Sequence, residues 1–483
     1  MFLFSVSTRI NQVSKVFVRY KNPPDHWSVV RKKSHPIDKA LAHFDDFYKQ
    51  VFRKKWSSIR EGLLRRHKYV AVINNYGDNE ETMAELELGG ALNVRTIFNL
   101  EKGYITEEVA KNQRNAALEK IWQMDREMEA KNRKQEQEAA QPQEQPVVDP
   151  YKYSLESSLE HAEIDSNRMV DSNNALTKEI LSEFIPATKL KGNDGFILES
   201  DHYKMFDPFT SFKTEKEYDL NFPENLNIYC YEQDNFSTFE PPKRGSTEVL
   251  NYYLMDGGSI LPVLALDLKP GCSMLDMCAA PGGKTYLAIQ TLYPNCIVAN
   301  DVTNSRLNRI ESVLHQFLYD VEERWLKPGR IKLCNNDGRC ISVDNFDRVL
   351  VDVPCTTDRH SLKENSNNIF TSSRVKERLQ LPELQSELLY SALTLVKKGG
   401  IVVYSTCSLS PIQNDGVVGM ALKKIWENSK IEIIVKDLSP ALLQTRSVFY
   451  LADQRLLKYG HLVLPQKGQN YGPTYFCKLQ RIK

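Results

Sequence analysis

Two cysteines follow strand-like apolar segments in the C-terminal half of the chain. Cys355 ends RVLVDVPC, and Cys407 comes after GGIVVYST in a stretch rich in hydroxyl residues, STCSLS. A single cysteine is more often a small buried hydrophobic residue than a nucleophile. A polar setting at the end of a strand is where an α/β enzyme carries its chemistry. The pair therefore indicates a reactive site at the edge of a sheet.

Methylation of cytosine at C5 requires the residue types found here. C5 becomes nucleophilic when a thiolate adds to C6, and afterwards the C5 proton and the thiol must leave. Cys355 and Cys407 supply a nucleophile and a second thiol, and their spacing does not decide which is which. The nearby Asp352 can hydrogen-bond the amino and ring-nitrogen edge of cytosine. Donation to the ring nitrogen would require the protonated acid.

A glycine-containing loop, CAAPGGKT at residues 278–285, follows a strand-like segment and opens a helix. Gly282 and Gly283 allow the backbone to come close to a ligand near the start of that helix. A dinucleotide site would need G-x-G-x-x-G, which is absent. A phosphate-binding P-loop would fit Lys284 and the residues beside it, but Cys278 stands where its first glycine belongs.

The third ligand that suits this loop is S-adenosylmethionine. Asp301 ends the next strand-like segment, IVAND, where a carboxylate can accept hydrogen bonds from both ribose hydroxyls. Asp337 and Gly338 follow the third segment, where the adenine is often held. Each aspartate alone could equally cap a helix or form a turn. Their order after successive strands favours the cofactor.

Alternating strand-like and helix-like segments from residue 246 onwards predict the scaffold of this site. The strand-like segments are MLDMCA (274–279), IVAND (297–301), IKLCNND (331–337), RVLVDVP (348–354), GGIVVYST (399–406) and TYFCKL (474–479). Parallel strands need crossovers, so this alternation predicts an α/β fold with a parallel, doubly wound sheet. Ligands of such sheets lie beyond the carboxyl ends of the strands.

CAAPGGK, DVPCTTDRHS and YSTCSLSPIQND resemble the motifs of the Sun-domain (NOP/Sun) RNA cytosine-5 methyltransferases. DVPCTTDRHSL, YYLMDGGSILPVLALDLKPG and GPTYFCKL are most similar to the mitochondrial branch of that family, which modifies ribosomal RNA. The resemblance is dense over 246–483 and weaker over 37–76. It implies a Rossmann-like S-adenosylmethionine-dependent methyltransferase fold with a mainly helical N-terminal region.

The resemblance also implies roles for individual residues. It makes Cys407 the nucleophile, Cys355 the thiol that aids release, and Asp352 an acid that serves both catalysis and cofactor binding. The implied cofactor-binding residues are Gly282, Gly283, Lys284, Asp301, Arg306, Asp337, Gly338 and Asp352. Val353 replaces the usual first proline of DPPC, with little expected consequence. Gln413 replaces the acid of the usual ENE segment, which weakens a role for an acid there.

Composition divides the chain into four predicted parts: a mitochondrial transit peptide at 1–30, a helical region at 31–100, a variable and partly low-complexity segment at 101–235, and the catalytic domain at 236–483. The first 21 residues are basic, lack acids and have apolar residues at helical spacing. The apolar residues of 37–72 recur at helical spacing, which predicts one helical stretch with an apolar face. Its opposite, basic face holds Arg53, Lys54, Lys55, Arg60, Arg65, Arg66 and Lys68 and is either an RNA-binding or a solvated surface.

The whole-chain totals restrict the setting. The nine cysteines form no CxxC pair, so no metal site of usual zinc spacing is expected. Their scatter through apparent core segments favours a reducing compartment, and no apolar run has the length of a membrane span. We therefore expect a mitochondrial matrix enzyme that methylates ribosomal RNA. The resemblance implies a heterodimer with a helical-repeat protein of the mitochondrial termination-factor type.

Two other functions remain open from the residues. The chain could be a mitoribosome assembly factor that binds RNA and whose catalysis is dispensable, or a P-loop nucleotide hydrolase, against which Cys278 argues. The residues beyond Cys355 leave a further choice. Arg359 and His360 could add positive charge near the thiol or hold a phosphate, or they could belong to an ordinary surface loop.

Overall fold

The computed structural model describes residues 35–107, 212–343 and 345–483. The predicted transit peptide and most of the predicted 101–235 segment lie outside these ranges. Within them, no helix combines the length and the apolar character needed to cross a membrane.

The strands, in chain order, are β1 Tyr69–Ile73, β2 Leu92–Asn93, β3 Thr214–Lys216, β4 Ile228–Cys230, β5 Tyr252–Asp256, β6 Ser273–Asp276, β7 Cys296–Asn300, β8 Ile331–Cys334, β9 Phe346–Asp352, β10 Val396–Thr406, β11 Ile433–Asp437, β12 His461–Val463 and β13 Thr474–Arg481. The α-helices are α1 Pro36–Phe52, α2 Trp56–Leu64, α3 Asn79–Leu88, α4 Ile260–Ala265, α5 Gly283–Gln290, α6 Asn304–Phe317, α7 Asp358–Lys363, α8 Val375–Leu395, α9 Val417–Asn428 and α10 Ser439–Leu442. Residues 94–107 are helical as well.

Short tighter or wider helical turns connect these elements. The 3-10 turns are Arg53–Lys55, Gly257–Ser259, Gly338–Cys340, Ser372–Arg374, Leu443–Thr445 and Gln454–Leu456, and the π-helical turns are Glu322–Leu326 and Ile412–Gly416.

A nine-stranded sheet forms the centre of the molecule, with the strand order β3-β11-β13-β10-β9-β6-β7-β8 and β12 beside β13. Strands β8, β7, β6, β9 and β10 run parallel, which confirms the predicted doubly wound α/β fold. The C-terminal strand departs from the parallel direction. β13 pairs antiparallel to β10, because the chain reaches it from the carboxyl edge of the sheet through β12, without a full crossover.

The two faces of the sheet contribute to two hydrophobic clusters. Met274 and Leu350 pack with α4, α5 and α6 on one face, and the adjoining Leu275 and Val351 pack with α8 and α9 on the other. Successive side chains of a strand point to opposite faces, so a strand that is buried on both sides reads as a continuous apolar run. This explains why these segments lacked alternating hydrophobicity.

The N-terminal region is mainly helical, as predicted, but it is not one helix from 37 to 72. Helix α2 ends at Leu64, and Tyr69–Ile73 is a strand with all but its first residue buried. The run YVAVI is rich in β-branched residues, which suit a pleated strand better than a helix. Helix α1 packs Phe44, Tyr48 and Phe52 into the same cluster as β9 and β10.

A second, four-stranded sheet has the order β2-β4-β1-β5, and all of its pairings are antiparallel. Strand β4 precedes residue 236 and β5 follows it, and both pair with β1. The boundary predicted at residue 236 therefore falls between two strands of one sheet. The N-terminal helices and this small sheet pack against the catalytic part of the chain.

Candidate active site

The register of β9 and β10 aligns the two segments that end in cysteines. Ser405 of β10 lies opposite Asp352 of β9 in a parallel pairing, so both strands end at the same edge of the sheet. The chain continues from each strand to a thiol, and the Sγ atoms of Cys355 and Cys407 are 3.1 Å apart. Cys355 is buried, whereas Cys407 retains solvent exposure. The structure thus brings both sequence-predicted thiols together and makes one of them accessible.

The pKa of Cys407 is raised well above its ordinary value. The largest cause is the hydrogen bond with Cys355, followed by the removal of the sulfur from bulk water at the base of a cavity. The negative charge of Asp352 acts in the same direction, and the ammonium group of Lys284 opposes it. The thiol is therefore the resting form, and positive charge near this sulfur favours the thiolate.

Asp352 lies between two donors. Lys284 Nζ is 2.7 Å from Asp352 Oδ2, and the Ser405 hydroxyl donates to Oδ1 over 2.7 Å. Burial alone would lower the pKa of Lys284, but the charge and hydrogen bond of Asp352 raise it above its usual value. Lys284, which the sequence motifs assign to the cofactor loop, therefore reaches Asp352, the predicted catalytic acid. The ammonium group of Lys284 stays protonated there.

The cofactor loop has the backbone geometry that its glycines require. Gly282 has φ +109°, in the left-handed region, at the residue before α5. A Cβ on Gly283 would lie 3.1 Å from the hydroxyl oxygen of Tyr253. A larger residue would strain the backbone at position 282 and would press against Tyr253 at position 283. The two glycines therefore leave the backbone at the start of α5 open to a ligand.

Asp301 is buried at the end of β7 and joins this loop to the sheet. Its Oδ2 accepts a hydrogen bond from the Ala280 amide over 3.2 Å, and Arg306 Nε lies 2.9 Å from Oδ1. The same guanidinium donates to the Ala280 carbonyl over 3.3 Å. Arg306 therefore holds the predicted ribose acid against the loop, and its own role is to position Asp301.

The predicted adenine-side pair lies after β8. Arg339 holds the Asp337 carboxylate at 2.6 Å, and these hydrogen bonds lower the pKa of Asp337. A Cβ on Gly338 would come within 2.7 Å of the Met277 side chain, so a side chain does not fit there. Close backbone approach is thus required at residue 338, whereas the Asp337 carboxylate already has a partner.

Sequence reasoning missed Asp276, which ends β6 directly before the loop. Thr285 donates to its Oδ2 over 2.6 Å, while its Oδ1 is buried and lacks a hydrogen-bond partner among the described residues. Burial raises its pKa to about 7. A charged residue inside the apolar segment MLDMC was the available signal, because such a residue is rarely buried without a function.

This unpartnered oxygen tests whether the residues fit S-adenosylmethionine. Asp276, Asp301 and Asp352 lie close enough for their charges to interact. S-adenosylmethionine carries an ammonium group and a sulfonium group, and either cation would compensate buried carboxylates. These carboxylates and the loop glycines therefore fit the cofactor. The glycines and Asp276 lie near the start of α5, and Asp301 follows the next strand, β7.

Asp358 was also missed, and it holds the two thiol-bearing loops together. Its carboxylate is fully buried and accepts hydrogen bonds from the Leu409 amide at 2.7 Å and the Tyr48 hydroxyl at 2.8 Å. Ser408 donates to it as well, over 3.2 Å. Tyr48 lies 310 residues earlier, on α1, so no local pattern could reveal this contact.

Gln413, which stands where the family resemblance predicts an acid, supports the same loops with an amide. Its Oε1 accepts the Thr356 amide over 3.1 Å and the Gln385 side chain over 3.2 Å, and its Nε2 donates to the Thr356 hydroxyl over 3.2 Å. A neutral amide provides both the acceptor and the donor that this position needs. The departure at 413 is therefore compatible with an ordered loop after Cys355.

Arg359 binds backbone carbonyl groups. Its guanidinium donates to the Gly472 carbonyl over 2.7 Å, to the Gly62 carbonyl over 3.2 Å and to the Asn470 side chain over 3.0 Å. Burial lowers its pKa to about 10. Among the alternatives left open for Arg359, these contacts favour a structural role, because they tie α2 to the segment before β13.

Three of the seven residues of the predicted basic face have partners within the chain. Arg60 pairs with Asp45 at 2.7 Å, and Arg65 pairs with Glu61 at 2.5 Å. Lys68 is buried and donates to the carbonyls of Tyr231 and Glu232. The choice between an RNA-binding and a solvated surface stays a prediction for the rest of this face.

Comparison with known proteins shows matches over most of the chain. A family model described as 16S rRNA methyltransferase RsmB/F matches residues 263–460. The chain is 42% identical over 293 residues to the 5-cytosine rRNA methyltransferase NSUN4 of Mus musculus. This match covers 59% of this chain and 74% of that protein. The match to the Xenopus laevis protein of the same name is 33% identical and covers 98% of both chains.

A relative of another name matches less of the chain. It is the tRNA (cytosine(34)-C(5))-methyltransferase, mitochondrial, of Danio rerio, which is 38% identical over 237 residues, 48% of this chain and 61% of that protein. All of these names describe methyl transfer to RNA.

Proposed function

Because the chain belongs to the Sun-domain family of S-adenosylmethionine-dependent RNA cytosine-5 methyltransferases, we propose that it methylates cytosine C5 in mitochondrial small-subunit ribosomal RNA. The reaction proceeds through a covalent bond between Cys407 and C6 of the base. The observation that carries this proposal is the difference between the thiols. Cys355 is buried at 8% exposure, whereas Cys407 lines an open cavity.

The residues of this chain hold the reacting groups in place. Cys407 loses its proton to solvent and adds to C6, and the displaced electron pair makes C5 nucleophilic. Lys284 and Asp352, joined at 2.7 Å, face the ring nitrogen and the amino group as donor and acceptor. When bound, S-adenosylmethionine supplies the methyl group. Loss of the C5 proton to solvent then restores the ring double bond and returns the electron pair of the C6–S bond to Cys407.

Cys355 serves the release step in this proposal. Its sulfur is 3.1 Å from that of Cys407, so the two thiols can exchange a proton. A thiol that is buried cannot reach the base as first nucleophile, but it can accept or return a proton beside it. This difference in access supports the assignment, implied by the family resemblance, of Cys407 as nucleophile and Cys355 as release group.

The biological setting is part of the same proposal. The acid-free basic N-terminus suits a transit peptide at 1–30 and a matrix location, and one relative is named mitochondrial. We further propose a role in mitoribosome assembly and a heterodimer with a helical-repeat protein of the termination-factor type. In that organisation 31–100 supports the catalytic part at 236–483, and the segment at 101–215 is dispensable for methyl transfer.

Covalent trapping tests the mechanism. Wild type, Cys355→Ala, Cys407→Ala and the control Cys340→Ala, which changes an exposed cysteine elsewhere, are incubated with mitochondrial small-subunit rRNA and S-adenosylmethionine. RNA–protein adducts are then resolved on a denaturing gel. We expect the adduct to accumulate in Cys355→Ala, to vanish in Cys407→Ala, and to match wild type in Cys340→Ala.

Other outcomes have definite meanings. The reverse pattern would retain the methyltransferase and exchange the roles of the two thiols. The absence of both adduct and methyl transfer in every protein, even with the partner present, would favour an assembly factor that binds RNA without catalysis.

A further inference from the structure

A cavity of about 370 Å³ opens beside Cys407, a volume in the range of ligand sites. Besides Cys407, its walls come from four separate parts of the chain: His67 after α2, Asp256 and Ser259 at and after the end of β5, residues 357–364 around α7, and residues 472–474 at the start of β13. Neither the cofactor loop nor Asp352 lines it. The cavity therefore adjoins the nucleophile on a side that the cofactor loop does not line.

One wall of this cavity carries closely spaced cationic residues. Lys363 Nζ is 3.5 Å from His67 Nδ1, and the guanidinium of Arg359 and the side chain of Arg66 are close enough to interact with both. The ring of Tyr69 stacks at a tilt on His67, with centroids 4.3 Å apart. In the described ranges, neither Lys363 nor His67 forms an ion pair with a carboxylate.

The pKa values of His67 and Lys363 are both lowered, so the protonated form of each side chain is disfavoured here. Burial is the main cause that lowers the pKa of His67 to about 4, and the positive charges of Arg359, Lys363 and Arg66 add to it. Burial and the same arginines also lower the pKa of Lys363. Asp256, which also lines the cavity, is close enough to interact with Arg359, and its carboxylate accepts the Gly472 amide over 2.9 Å. That carboxylate is thus directed toward the backbone and Arg359.

We propose that this cavity binds a phosphodiester group of the RNA strand beside the target cytosine, with Lys363 and His67 as its ligands. The proposal rests on the proposed function, since it places the sugar–phosphate next to a base held at Cys407. An anion would compensate the mutual repulsion of the cationic wall. Lys363 binds it as a mobile point charge, and His67 donates a hydrogen bond.

This site gives the N-terminal region a direct part in substrate binding. His67 follows α2, and Lys363 is the last residue of α7. Arg359, in the first turn of α7, donates a hydrogen bond to the Gly62 carbonyl of α2 over 3.2 Å. The contact fixes the position of His67 relative to Lys363. The N-terminal helices therefore complete a site that the catalytic domain alone leaves with half of its ligands.

The test compares RNA binding by wild type, Lys363→Gln, His67→Gln and Lys363→Arg with that of Lys398→Gln. Lys398 is exposed in the register irregularity between Val396 and Ile401 of β10, at the end of the strand away from Cys407, so its change removes the same charge far from the cavity. The full chain is titrated into labelled mitochondrial small-subunit rRNA at several KCl concentrations. Methyl transfer is measured in parallel for kcat and KM.

We expect Lys363→Gln to weaken RNA binding about tenfold and to reduce the slope of log K against log salt by about 0.7 to 0.9, as for the loss of one phosphate contact. KM should rise with little change in kcat. Lys363→Arg should restore most of the affinity, and His67→Gln should weaken binding less. Lys398→Gln should behave as wild type.

An unchanged affinity and salt slope in Lys363→Gln would overturn the site, as would an equal effect in Lys398→Gln. The failure of the proposed function is recognised separately. A wild type that binds RNA with the expected salt dependence but forms no adduct would refute the catalytic mechanism and leave the phosphate site standing. A wild type that binds no RNA at any salt concentration would overturn both.

Discussion

The two sides of Cys407 have opposite electrostatic character. On the cofactor side, Asp276, Asp301 and Asp352 converge, and burial raises the pKa of Asp276 to about 7. On the cavity side, burial and, after it, cationic neighbours lower the pKa of His67 to about 4. Each side is strained by its own like charges and is relieved by a ligand of opposite sign. The difference teaches that the thiol stands between a site for a cationic cofactor and a site for an anionic strand.

The two thiol-bearing loops between these sides are held together by Asp358. Replacing Asp358 should have the largest effect on stability and activity. Asp358→Ala removes the carboxylate that accepts hydrogen bonds from the Leu409 amide and the Tyr48 hydroxyl. The loss of each of these buried hydrogen bonds costs about 1–3 kcal/mol, so the free energy of unfolding should fall by about 2–6 kcal/mol. Urea unfolding measures this loss, and kcat should fall with it because both thiol loops lose their anchor.

Tyr48→Phe is the matched control for this prediction. It removes one hydrogen bond of 2.8 Å while keeping the ring packed against α7, and it should cost about 0.5–1.5 kcal/mol. If Asp358→Ala proves no more damaging than Tyr48→Phe, the carboxylate does not hold the two loops together.

The acidic side makes cofactor affinity depend on pH through Asp276. Its pKa of about 7 in the protein means that a proton occupies it below neutrality. A cationic ligand binds the carboxylate form, so affinity for S-adenosylmethionine should fall about tenfold per pH unit below pH 7 and level off above it. Asp276→Asn should bind the cofactor weakly and with little pH dependence, as measured by calorimetry between pH 5.5 and 8.5.

Lys363→Gln sharpens the same comparison from the other side. It should leave both the cofactor affinity and its pH profile unchanged, because Lys363 lines the cavity and Asp276 does not. A pH profile in Asp276→Asn that matches wild type would assign the titration to another group.

The smallest effect is expected on the outer face of the N-terminal helices. Arg60 pairs with Asp45 at 2.7 Å in a half-exposed setting, so Arg60→Gln should change the free energy of unfolding by about 1 kcal/mol or less. Its RNA affinity, measured in the same titration as Lys363→Gln, should equal that of wild type. A loss as large as that of Lys363→Gln would make the outer helix face a second RNA surface.

Much of the scaffold could be predicted because its signals are local. The run RVLVDVPC, the glycines of CAAPGGKT and the strand GGIVVYST each carry their meaning within a few residues, and they lie on β9, before α5 and on β10. The helix proposed for 65–72 failed because a short apolar run does not distinguish a helix end from a strand. The antiparallel β13 was missed because strand direction depends on the connection.

The sequence by itself determined the chemistry of this protein: two thiols, an acid, and a loop for S-adenosylmethionine, set in order after successive strands. Tertiary structure alone decided how these groups are held and what they face. It joined Tyr48 to Asp358, turned Arg359 toward backbone carbonyls, buried Asp276 with one unpartnered oxygen, and set His67 beside Lys363. Such contacts join residues tens to hundreds of positions apart, and burial sets their charges, so no local pattern encodes them.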